Sequence, residues 1–126
     1  MRLATLRTED GTVAARVEGN VVTRLDGFAD VGAVLRSGAL EQVAEAAGVT
    51  EAFDESKLAP VIVAPQKVVC VGLNYRNHIL EMGRELPEYP TLFTKYPESL
   101  IGPRDDIQLP PESDAVDWEG ELALVV

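Results

Sequence analysis

At 126 residues the chain is long enough for one ordinary domain, or for a small lobe joined to part of a larger one. Twenty-one acidic residues against eleven basic ones give a formal charge of −10, which repels phosphate backbones and anionic surfaces and argues against nucleic acid or membrane as a partner. Hydrophobic residues make up 46%, yet no apolar run approaches the ~20 residues of a membrane helix and no apolar signal core opens the chain. A cytoplasmic location is the default expectation. The single cysteine, Cys70, cannot form an internal disulfide, and between Val69 and Val71 it reads as a small buried hydrophobe.

Residues 2 to 25 alternate as short antiparallel strands do, with turns at Glu9-Asp10-Gly11 and Glu18-Gly19-Asn20. This predicts a small β meander. After Asp26-Gly27 the period changes: Val31, Val34 and Leu35 suggest one short helix, and Leu40, Val43, Ala44 and Ala47 a second that stops at Gly48. Asp54-Glu55-Ser56 and the Pro60 to Pro65 region look like a crossing, which places a boundary near residue 60. Residues 1–60 then form a small N-terminal lobe of structural character, and residues 61–126 a second unit.

Val68 to Leu73 is a continuous apolar run, short enough to be a strand buried on both faces. It delivers the chain into Asn74-Tyr75-Arg76-Asn77-His78-Ile79-Leu80-Glu81-Met82-Gly83, a short helix with Asn77 or Asn74 as its cap and Gly83 as its stop. His78 and Glu81 fall at i and i+3 on that helix, where a carboxylate can fix the imidazole tautomer and raise its basicity enough to activate a water. A surface pair is the alternative. The segment Pro87 to Pro97 frames a strand between prolines that place it at an edge or between turns, and Lys95 shares a face with Phe93. Lys95 faces solvent, or else holds a substrate carboxylate or a developing enolate oxygen. Asp105 and Asp106, adjacent and so facing opposite ways in extended backbone, read as turn residues.

The last stretch, Asp117-Trp118-Glu119-Gly120-Glu121 followed by apolar residues to Val126, reads as a strand entering a core. Residues two apart on a strand share a face, so Glu119 and Glu121 project together. They face water, or a hard divalent cation neutralises them.

Together, Val69 to Tyr75, His78 with Glu81, Leu92-Phe93-Thr94-Lys95, Leu100-Ile101-Gly102-Pro103 and Asp117 to Ala123 closely resemble the fumarylacetoacetate hydrolase family over residues 61–126. Residues 1–60 resemble, more weakly, the variable N-terminal region of bacterial members. The resemblance implies an α+β fold, mostly β, in which the N-terminal meander and helices precede the first part of a mixed β-roll that is usually homodimeric. It implies Mg²⁺, Mn²⁺ or Ca²⁺ held by Glu119 and Glu121 with an aspartate from beyond Val126, a His78–Glu81 dyad that activates water, and Lys95 holding substrate near the metal. The implied substrates are small anionic 2-oxo or 2,4-dioxo acids. The leading expectation is C–C hydrolysis of an acylpyruvate-type acid; an isomerase or decarboxylase of the same family is the alternative, and a non-catalytic module the third reading. These residues are expected to be part of a longer enzyme and inactive alone.

Overall fold

A computed structural model describes residues 1–126. The expected meander is realised as three antiparallel strands, β1 (Arg2–Thr8), β2 (Gly11–Glu18) and β3 (Val21–Arg24). Thr8 pairs with Gly11 and Glu18 with Val21, so both turns are two-residue loops. Gly19, at φ +58, supplies the positive φ that such a loop demands. A fourth strand, β4 (Thr50–Ala52), pairs antiparallel with β3 and completes the order β1-β2-β3-β4.

Alternation along the strands gives this sheet two apolar faces. Ala15 and Val17 pack with Ala4, Leu6 and Val22 on one face, covered by Phe53 and Leu58. Ala14 points the other way and joins Leu25, Val34 and Val43 beneath the two helices, α1 (Val31–Ser37) and α2 (Leu40–Ala44). The second helix is shorter than its apolar spacing suggests. Arg16 Nη1 donates to the Val43 and Ala46 carbonyls at 3.0 Å each, which satisfies the end of α2. The backbone then turns onto β3, where Arg24 N donates to Val49 O at 2.9 Å.

The crossing near residue 60 is tied down by buried polar groups. Asp30 caps α1 by accepting from Ala33 N at 2.6 Å, and its other oxygen accepts from Val63 N at 2.9 Å. Thr5 Oγ1 accepts from Val31 N at 3.1 Å and donates to Val61 O at 2.7 Å. Both side chains are buried, so each hydrogen bond replaces one with water.

Beyond it, β5 (Val68–Gly72) pairs antiparallel with β6 (Thr91–Lys95), and α3 (Arg76–Glu81) lies between them in sequence. The expectation of a strand buried on both faces is corrected: β5 is half-buried and Val69 is 56% exposed, with β6 its one neighbour in the sheet. Cys70 is accordingly half-buried rather than a core residue. Neither asparagine caps α3; Tyr75 holds that position without a side-chain capping hydrogen bond, while Gly83, at φ +67, ends the helix as expected.

A second correction concerns residues 117–126, which form no strand. A strand needs a neighbouring backbone to complete its ladder, and no other segment of these residues pairs with this one. Leu122 and Leu124 are at least 80% exposed as a result. The whole chain exposes 9913 Å², against about 6,600 Å² for a compact folded chain of its size. The excess lies in the second half: every buried residue except Ile79 and Gly102 precedes residue 60.

One turn of the second half is fastened to the N-terminal sheet. Asp105 accepts from Gly102 N at 2.7 Å and from Arg7 Nη2 at 2.5 Å, and Arg104 pairs with Glu55. The expected turn role of Asp105 therefore holds. A Cβ on Gly102 would stand 2.5 Å from the Leu58 carbonyl oxygen, so Gly102→Ala is expected to lower stability by about 1–3 kcal/mol, the usual cost of overpacking; urea unfolding measures it.

The Gly102 N–H, then the Arg7 guanidinium, hold the Asp105 carboxyl below the ordinary aspartate range. A carboxyl lowered in the folded state contributes stability above its unfolded value and loses it as pH falls through the folded one. The urea midpoint is therefore expected to drop as pH is lowered below about 4, and Asp105→Asn to flatten that dependence.

Candidate active site

Three of the five residues singled out from sequence come together. Lys95, at the end of β6, and Glu119 and Glu121, on the terminal segment, line one open cleft of about 440 Å³. Asp117 is the fourth lining residue. It was missed as a site residue, although the signal was present: Asp117, Glu119 and Glu121 alternate at i, i+2 and i+4, a spacing that gathers side chains on one side of any locally extended chain.

His78 and Glu81 sit on α3 as the spacing required, but they make no hydrogen bond to each other and do not line the cleft. Both are exposed. What brings α3 towards the acids is the residue before it. Leu73, at φ +53, takes a left-handed backbone that is rare for its side chain, and the chain swings out of β5 so that Tyr75 reaches the terminal segment. There the Tyr75 hydroxyl donates to the carbonyl of Gly120, between the two glutamates.

Three carboxylates against one ammonium leave the cleft with a net negative charge, which draws cations and repels an anionic substrate. The donor set is all hard oxygen, the chemistry of Mg²⁺, Mn²⁺ or Ca²⁺ rather than of thiolate-seeking metals. No set of three or more His, Cys, Asp or Glu side chains is arranged to enclose such an ion, so the acids supply donors without closing a coordination shell.

Residues 67–126 match the fumarylacetoacetate (FAA) hydrolase C-terminal domain. The mitochondrial oxaloacetate tautomerase Fahd2a of Rattus norvegicus is 52% identical over 69 residues, covering 55% of this chain and 22% of the relative. Its Xenopus laevis counterpart, oxaloacetate tautomerase fahd2, is 48% identical over 71 residues, covering 56% and 22%. A crystal structure described as an HpcE protein from Mycobacterium smegmatis superposes with a TM-score of 0.69 at 29% identity, covering 88% of this chain and 41% of that one. The chain therefore spans about a fifth of the length of these curated relatives. The structural likeness is broader than the sequence likeness, since 88% of the chain takes in most of the N-terminal sheet and helices. No helix is long and apolar enough to cross a membrane.

Proposed function

We propose that the full-length protein is a divalent-cation-dependent enzyme that interconverts the keto and enol forms of small 2-oxo diacids, with oxaloacetate the first to test. The observation that carries this reading is the meeting of Lys95 with Glu119 and Glu121 in one cleft. Glu119 and Glu121, with Asp117 beside them, would hold the cation. Bound there, it supplies Lewis-acid polarisation of a 2-oxo carbonyl and local positive charge that offsets the acids. The proton on the neighbouring carbon passes to water in the open cleft, Lys95 hydrogen-bonds the oxygen that gains the charge, and tautomerisation ends when that oxygen takes a proton back from water. No external nucleophile takes part. The unpaired state of His78 and Glu81 favours this reading, as do the names of the relatives.

A second reading is C–C hydrolysis of a 2,4-dioxo acid, in which His78, oriented by Glu81, deprotonates a water. Their shared position on α3, whose first turn follows Tyr75, favours it. Decay of the oxaloacetate enol and cleavage of an acylpyruvate, each followed with Mg²⁺ or Mn²⁺, test the two. Enol decay that survives His78→Ala is the expected outcome. Cleavage of the acylpyruvate that His78→Ala abolishes establishes hydrolysis instead, and neither activity with either ion refutes both.

A further inference from the structure

The acid-bearing segment is held by a single bond. Residues 117–126 make one hydrogen bond to the rest of the chain, from the Tyr75 hydroxyl to the Gly120 carbonyl. The other hydrogen bond at these residues is local, from Trp118 N to Asp117 Oδ1. No ion pair reaches the segment. Gly120 is also the freest residue there, since a glycine backbone has the most conformational entropy to lose. Its surroundings do not demand a glycine: a Cβ would meet nothing nearer than Trp118 Cζ3, at 4.0 Å. The carbonyl that Tyr75 grips belongs to the peptide joining Gly120 to Glu121, so the bond acts on the backbone between the two glutamates.

We infer that Tyr75 is a positioning residue for the carboxylates: its hydroxyl pins the Gly120–Glu121 peptide so that Glu119 and Glu121 face the Lys95 cleft together. The inference rests on the cation-binding reading of that cleft. Groups one bond removed from a metal's ligands typically change its affinity 10–100-fold when lost, because they orient the ligands.

The test is Tyr75→Phe in the full-length protein, which removes the hydroxyl and keeps the ring. Mn²⁺ titration by calorimetry is expected to show affinity reduced about 10-fold, with the urea midpoint of the metal-free protein unchanged. Trp118, the one tryptophan of these residues, stands next to Glu119. Its fluorescence anisotropy without metal is expected to fall as the segment loosens. Unchanged Mn²⁺ affinity, or a weaker affinity accompanied by a lower urea midpoint and unchanged anisotropy, overturns the inference. Glu119→Ala/Glu121→Ala, measured alongside, separates the two claims. If that variant binds Mn²⁺ normally, the cation site is wrong; if it loses Mn²⁺ while Tyr75→Phe does not, only the role of Tyr75 is wrong.

Discussion

Replacing Glu119 and Glu121 together by alanine is expected to weaken Mn²⁺ binding by more than about 100-fold, beyond what loss of an outer partner produces, and to abolish metal-dependent turnover. These carboxylates provide most of the hard oxygen donors on the cleft. Asp117 alone would leave a divalent ion coordinated mainly by water. The urea midpoint of the metal-free protein is expected to hold or rise, since both residues are exposed and their removal relieves repulsion among like charges. Calorimetry and unfolding on the same preparation check both halves. A variant that binds Mn²⁺ normally contradicts the assignment, and one that loses binding by unfolding leaves Glu119→Gln, of nearly equal size, to decide it.

Asp30→Ala is expected to destabilise the N-terminal sheet by about 2 kcal/mol, from about 1 for a lost helix cap and a similar amount for a stranded backbone donor. The side chain is 5% exposed as a residue and divides its two oxygens between Ala33 N of α1 and Val63 N of the crossing. Asp30→Asn separates the contributions, because an amide oxygen still accepts one bond but its nitrogen cannot accept the other. Urea unfolding is expected to rank the wild type above Asp30→Asn and Asp30→Ala last. Equal midpoints for all three would mean that Val61 and Val63 are held by Thr5 and local packing alone.

Local signals carried most of the N-terminal half. The turns at Glu9-Asp10-Gly11 and Glu18-Gly19-Asn20 and the shift of period after Gly27 were legible because each depends on neighbours in sequence. The strand at Thr50–Ala52 was not legible, since three residues carry no period and this stretch is a strand only through β3. The same dependence misled at the other end: the apolar run to Val126 has the composition of a strand, but composition cannot supply the neighbour a ladder requires. At the cleft, Glu119 and Glu121, picked out by their spacing, line the same opening as Lys95, which the prolines framed on its strand. The Tyr75–Gly120 bond spans 45 residues and turns on one backbone angle at Leu73, which no motif announces.

Asp117, Glu119 and Glu121 together with Lys95 are expected to mark where a divalent cation binds. Paramagnetic broadening places such an ion directly: Mn²⁺ is added in small steps to the ¹⁵N-labelled full-length protein and each amide signal is followed. The signals of Asp117 to Glu121 and of Lys95 are expected to vanish first, while those of β1 and β2 persist. Broadening that begins at Glu9 and Asp10, or spreads evenly over the acidic surface, would contradict it.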